Sequence, residues 1–159
     1  MKPRTRARGT ALQILYEIDL VDHPLGTVLK HRLEDAELED RLVDFVSQIV
    51  RGIWPIRLHL DQFIAEHAPE WPLDQIAIID RNILRIALWE FAVKSDTPVK
   101  VAINEAVELA KSYGSESSSR FVNCVLGSLA ARRNQLRLSF THLSSPNSSA
   151  NYQMDIPGI

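Results

Sequence analysis

The sequence predicts an all-α fold of about seven helices over residues 1–138, followed by a Ser-rich flexible tail at 139–159. Three observations predict it. Apolar residues recur at helical spacing along most of the chain. Strand-like alternation is scarce, and Val99-Lys100-Val101 is too short to count. The composition is that of a globular protein, with 45% hydrophobic and 24% charged residues in 159. A chain of that length buries roughly 70% of its unfolded surface and needs no disulfide or metal staple.

The elements follow in order. Ala7, Ala11, Ile14, Leu15 and Ile18 mark one face of a first helix, with Pro3 near its start, where a missing N–H costs little. Asp22-His23-Pro24 interrupts it. Leu25, Val28, Leu29 and Leu33 give a short second helix, and the acidic stretch from Glu34 to Asp40 holds the turn and the next helix start. Leu42, Phe45, Val46, Ile49, Val50 and Ile53 form the cleanest stripe, which Gly52, Trp54 and Pro55 end or bend. Leu60, Phe63, Ile64 and His67 continue on a fourth helix, with Pro69 and Pro72 bracketing the connection after it. Ile76 to Val93 is apolar on most sides, the pattern of a central helix packed on several neighbours. After the turn Ser95-Asp96-Thr97-Pro98, Ala102, Ile103, Ala106, Val107 and Ala110 make the sixth helix, with Gly114 placed for a left-handed C-cap. Ser117-Ser118-Ser119 offers N-caps to a seventh, faced by Phe121, Val122, Val125, Leu126 and Leu129. The tail from 139 carries five serines, two prolines and one charged side chain, Asp155; docking through Phe140, Leu143, Tyr152 and Ile156 is the alternative.

Several function classes drop out. Cys124 has no partner in the chain, which fits a reducing compartment and excludes a disulfide framework. No apolar run approaches the ~20 residues that span a bilayer, so a soluble cytoplasmic protein is expected. The five His residues (23, 31, 59, 67 and 142) show no metal-ligand spacing. His59 and His67 read as capping or solvent-facing, and Cys124 as a small buried side chain. No Gly-rich phosphate loop and no nucleophile elbow occurs. Glu105 and Glu108 read as a solvated helix face. Nothing points to catalysis, a cofactor or a metal.

Charge is more informative. The net charge of −2 hides a cationic arm, because residues 1–8 carry Lys2, Arg4, Arg6 and Arg8 and no acid. The other 151 residues hold 14 bases against 20 acids. On a helix, Arg4 and Arg8 fall on the line that Ala11 and Leu15 continue into the core, whereas Arg6, Thr10, Gln13 and Glu17 share a polar face. Guanidinium forks suit phosphate oxygens and stack on bases, and Thr10 and Gln13 add hydrogen-bonding groups. Four phosphates neutralised on a single strand give a salt slope of roughly −3. The competing reading is a solvated Arg-rich terminus with no ligand.

Four blocks then resemble one family. Arg4-Thr5-Arg6-Ala7-Arg8, followed by Ala11 to Tyr16 and Asp19, is similar to the start of the NusB transcription antitermination factors. Asp80-Arg81-Asn82-Ile83-Leu84-Arg85-Ile86-Ala87 resembles their central helix. Val101 to Lys111 after Pro98 resembles their most recognisable string. Tyr113-Gly114 and Phe121-Val122-Asn123 complete the pattern, over about residues 3–133.

The resemblance implies two three-helix lobes packed side by side and no catalysis. It implies binding of boxA-type single-stranded RNA in nascent ribosomal RNA transcripts, together with NusE, a small-subunit ribosomal protein, in the RNA polymerase antitermination complex. The RNA surface is then expected at Lys2, Arg4, Arg6, Arg8, Thr10 and Gln13, with Arg6→Ala or Arg8→Ala weakening RNA binding and sparing the fold. The NusE surface is expected around Asp80, Leu84, Arg85 and Phe121. Arg85 either serves that surface or pairs an internal acid such as Glu105, and Phe121 is either an anchor or core. Asn104 is read as a structural amide, while Asn123 is left open.

Cys124 stands where the family commonly has Gly, which puts the packing of the last helix in question, and Ser117-Ser118-Ser119 softens the acidic loop before Phe121. Two other classes compete. The same helical domain precedes the catalytic part of ribosomal RNA cytosine methyltransferases, but residues 139–159 are too few to hold a methyl-donor-binding domain. A purely protein-interacting helical adaptor is the other, with a homodimer that buries the arm or the Phe121 region as its regulatory variant.

Overall fold

The computed structural model describes residues 2–141. Among them every regular element is a helix: α1 Pro3–Val21, α2 Leu25–Ala36, α3 Asp40–Ile53, α4 Arg57–Glu66, α5 Ile78–Leu88, α6 Val99–Tyr113, α7 Ser118–Ala130 and α8 Arg133–Thr141. Short 3-10 turns at Trp54–Ile56 and Leu73–Gln75 flank α4, and a π-helical turn, Trp89–Val93, extends α5. No helix of the described residues is long and apolar enough to cross a membrane.

The first lobe is α1 against α2 and α3; the second is α5 against α6 and α7, with α4 laid on α5. The lobes meet where α1 runs along α5 and α6. One apolar cluster is continuous through both, from Ala7 and Ile14 in α1, through Ile49 in α3 and Leu84 in α5, to Leu126 in α7. Pro3 occupies the first turn of α1, as its missing N–H allows. Asp22 ends that helix in the left-handed region at φ 49°. The run apolar on most sides is the central helix, and Asn82 to Leu88 are buried without interruption.

The π turn rests on Lys94 N donating to Trp89 O (2.9 Å) and Ser95 N to Glu90 O (3.1 Å). The Trp89 ring lies on Gly52 of α3, where an added Cβ would stand 2.5 Å from the ring. That close approach explains the glycine in an otherwise bulky stripe.

Four expectations are corrected here. The helical region does not stop at residue 138. Helix α8 runs to Thr141, Phe140 is buried, and its ring meets Phe63 edge-on at 5.2 Å. Arg133 fixes the start of α8 by donating to Phe91 O (3.3 Å). Two apolar anchors in nine residues were too few to show as a stripe. The rest of the tail, residues 142–159, lies outside the described residues.

Gly114 caps α6 in an extended conformation (φ −92°, ψ −173°), not a left-handed one. It is small because a Cβ there would lie 2.5 Å from Ser118 Oγ. Ser117 sits at the N-cap of α7 without a side-chain capping bond; Ser118 Oγ instead accepts from Ser115 N (2.9 Å). Cys124 is exposed, not buried, so its thiol stands on an outer face and does not wedge α7 from its neighbours.

Candidate nucleic-acid interface

The six arm residues divide. Lys2 and Arg4 are exposed, and neither is ion-paired with a described residue. Arg4 lies with its guanidinium carbon 4.8 Å from the centroid of the Phe45 ring. Arg6 is exposed and donates to Ala36 O (2.7 Å) at the end of α2, where a cation complements the carbonyl end of a helix. Gln13 is half-buried.

Arg8 and Thr10 do not belong to that surface. Arg8 is 3% exposed and grips Glu90 of the π turn, with Nε 3.0 Å from Oε2 and Nη2 2.8 Å from Oε1. Its other terminal nitrogen lies 3.6 Å from Glu105, which also accepts from Thr5 Oγ1 (2.9 Å). Thr97 Oγ1 donates to Glu90 (3.3 Å), and Arg8 also lies over the Phe45 ring at 5.3 Å. The physical reason is the helical turn: Arg8 shares the line of Ala11 and Leu15, and that line enters the core. Thr10 is buried, with its hydroxyl turned back to Arg6 O (3.3 Å). Glu105 is therefore part of an inter-helix lock and not a solvated face, whereas Glu108 is exposed beside Lys111 (3.5 Å).

The second predicted cluster also divides. Leu84 is fully buried, and Arg85 is 2% exposed. Arg85 holds Asp61 of α4 through Nε (2.7 Å) and Nη2 (2.6 Å), and Asp19 of α1 through Nη1 (2.9 Å). Its acid partners are thus Asp61 and Asp19, not Glu105. Asn82 and Arg81 each donate to the same Asp19 oxygen at 3.1 Å. Burial pushes the Asp19 carboxyl up, but Arg85, then Asn82 and Arg81, outweigh it and hold the pKa below the ordinary value. Neither Leu84 nor Arg85 presents a side chain to a partner; both are structural.

Asp80 and Phe121 border a groove of about 420 Å³ that also includes Trp71, Ile76, Arg120 and Cys124. Phe121 is half-buried and meets the exposed Trp71 ring edge-on at 6.2 Å. Asp80 is buried, with Oδ1 unpaired among the described residues. Burial raises its pKa, against a smaller opposing pull from Ser118. Asn104 is exposed and lines a polar groove between α6 and α7 with Asn123, Lys111 and Arg120, so it does not tie a loop.

Sequence reasoning missed Glu90, Asp61 and Trp71. Glu90 had a signal: an acid between Trp89 and Phe91 on a central helix requires a buried cation. His67 holds Nδ1 2.8 Å from Phe63 O at the end of α4. Among the described residues no group of three His, Cys, Asp or Glu side chains is placed to hold a metal. The chemistry on offer is ionic and stacking.

The chain is similar to known proteins over most of its length. The chain is 50% identical over 131 residues to the transcription antitermination protein NusB of Roseiflexus castenholzii, covering 81% of this chain and 92% of that protein. It is 47% identical to the NusB of Chloroflexus aggregans, covering 81% and 87%. Its fold superposes on T. maritima NusB with a TM-score of 0.77 at 29% identity, covering 87% of this chain and 98% of that one. It shares its fold, at TM-score 0.72 and 24% identity over 87% of this chain and 98% of that one, with a chain of a crystallised complex of the antitermination factors NusB and NusE with dsRNA. The NusB family pattern matches residues 5–131, and the chain belongs to that family.

Proposed function

We propose that this chain is a transcription antitermination factor that holds boxA-type single-stranded RNA on the exposed cations of α1. It does so together with NusE and as part of the RNA polymerase antitermination complex. It works in the cytoplasm by binding, without catalysis. The curated relatives that span most of the chain carry the antitermination name.

One observation carries the RNA reading. The acidic body keeps Lys2, Arg4 and Arg6 at the surface without a carboxylate partner among the described residues, while it neutralises Arg8 internally. Unpaired cations beside an otherwise anionic surface attract a phosphate backbone, and single-stranded RNA adds bases that stack on guanidinium planes.

The test is a fluorescence anisotropy titration of boxA-type RNA with the wild-type chain and with a Lys2→Ala/Arg4→Ala/Arg6→Ala variant. Three phosphates give a salt slope of about −2, so the variant binds about a hundredfold more weakly near 0.1 M salt. Wild-type affinity in the triple variant refutes the reading.

The Trp71–Phe121 groove is the proposed seat of NusE, with Asp80 on its wall. A half-exposed aromatic pair is the kind of anchor that dominates protein interfaces. Phe121→Ala is expected to abolish co-elution with NusE and leave RNA binding by the isolated chain unchanged.

A further inference from the structure

We propose that the groove between the first turns of α1 and α3 is a nucleotide seat, in which Arg41 is an RNA-binding residue alongside Lys2 and Arg4. This deepens the RNA-binding reading above and rests on it. The groove has a volume of about 360 Å³ and is lined by Lys2, Pro3, Arg4, Arg41, Leu42 and Phe45. Three of the six are cations, three are apolar, and none is an acid. A nucleotide has the same two halves. Its phosphate fits the cationic rim, and its base fits the Pro3–Leu42 wall and the free face of the Arg4 guanidinium, whose other face is set on the Phe45 ring.

Arg41 is free to take that role. Its partner is Glu39, at 3.1 Å, and both side chains are about three-quarters exposed (75% and 72%). A pair so open to water contributes little and exchanges readily for a phosphate. By contrast, the groove on the other side of Lys2 is lined by Glu105 and Glu108 as well as Thr5, Asn104 and Ser112. Two carboxylates there oppose a phosphate. The charge distribution therefore directs the strand from the arm toward α3.

The test uses the full chain and a fluorescein-labelled boxA-type RNA, titrated between about 50 and 200 mM salt. One phosphate lost from a single strand flattens the salt slope by about 0.7, which is a factor of about five in affinity at 0.1 M salt. Arg41→Ala is expected to show both changes with an unaltered circular dichroism spectrum, and Arg41→Lys to keep the slope. Arg51→Ala is the control: it removes the same charge from an exposed position at the far end of α3 and is expected to match the wild type. If Arg41→Ala binds like the wild type while Lys2→Ala/Arg4→Ala does not, the seat is refuted and the arm reading stands. If Arg41→Ala and Arg51→Ala weaken binding equally, the effect is net charge and the seat is again refuted. If the wild-type chain itself does not bind the RNA, both readings fall.

Discussion

Replacing Arg8 by alanine removes a guanidinium that is 3% exposed and leaves Glu90, with a side chain 2% exposed, with only the Thr97 hydroxyl at 3.3 Å among the described residues. Breaking a buried pair by taking one partner costs about 3–5 kcal/mol, because the remaining charge stays buried without compensation. For a domain of this size that lowers the melting temperature by about 10–20 °C. Glu105 keeps Thr5 and has partial access to water, so its loss adds little. The measurement is urea unfolding followed by circular dichroism, beside RNA anisotropy at a temperature where the variant is still folded. Stability is expected to fall by the stated amount, and the folded protein to keep nearly its full RNA affinity. An Arg8→Met/Glu90→Leu double variant, which removes both charges together, is expected to recover most of the loss. If Arg8→Ala unfolds at the wild-type midpoint and yet loses RNA affinity about fivefold near 0.1 M salt, Arg8 faces solvent and the internal lock does not exist.

Other perturbations test other parts of the structure. Asp19 has a folded pKa below its unfolded value, so its contribution is present above that unfolded value, 3.8, and is lost as pH falls through the lower, folded one. Asp19→Asn is expected to lower the urea midpoint at neutral pH and to flatten its decline in acid. Asp80 has the opposite shift, so its ionisation opposes folding as pH rises through the raised pKa. Asp80→Asn is expected to raise the midpoint at neutral pH and to have a vanishing effect in acid. Gly52→Ala places a Cβ 2.5 Å from the Trp89 ring. Overpacking of about 1–3 kcal/mol is expected to outweigh a helix-propensity gain of about 1 kcal/mol, with a change in tryptophan fluorescence as the ring shifts. Phe140→Ala removes the buried anchor of α8 and is expected to cost about 3–5 kcal/mol, measured by the same unfolding assay.

What the sequence made legible is what repeats locally. Helices α1 to α7 follow from apolar spacing, and Ile76 to Val93 read as central because few of its side chains are polar. The α8 segment was not legible, since Leu136 and Phe140 become core only through surfaces supplied by Phe63 and the π turn far back in the chain. The arm shows the same limit. Its helical phase put Arg8 on the inward line, yet its charge suggested the surface. Only the fold brings Glu90 within 2.8 Å from 82 residues away and decides in favour of the interior. Arg85 is parallel: the sequence offered an internal acid as one of two fates, but Asp61 and Asp19 come from different helices and no spacing rule could select them. The half-buried Phe121 meets Trp71, which sits in a Pro-bracketed connection where periodicity carries no signal, so the pair was not legible.

The two fates of the arm's arginines are physically linked. An exposed helix end frays, and a frayed cation must be ordered before it can hold a phosphate, at a cost of about 0.5–1.5 kcal/mol for each long side chain. Here Arg8 is locked to Glu90 and Glu105 and lies over Phe45, and one turn earlier Arg4 lies over the same ring. The ion pairs thus fix the register of α1 against the π turn and α6, and the Phe45 ring shared by Arg4 and Arg8 fixes it against α3; that register sets the place and direction of Arg4 and Lys2. A residue with no access to the ligand thus acts through the stability of the helix that carries the cations, while stacking on Phe45 orders Arg4 itself. Simply raising the net positive charge of the arm, by an added Lys without such a lock, would increase long-range attraction without supplying this ordering.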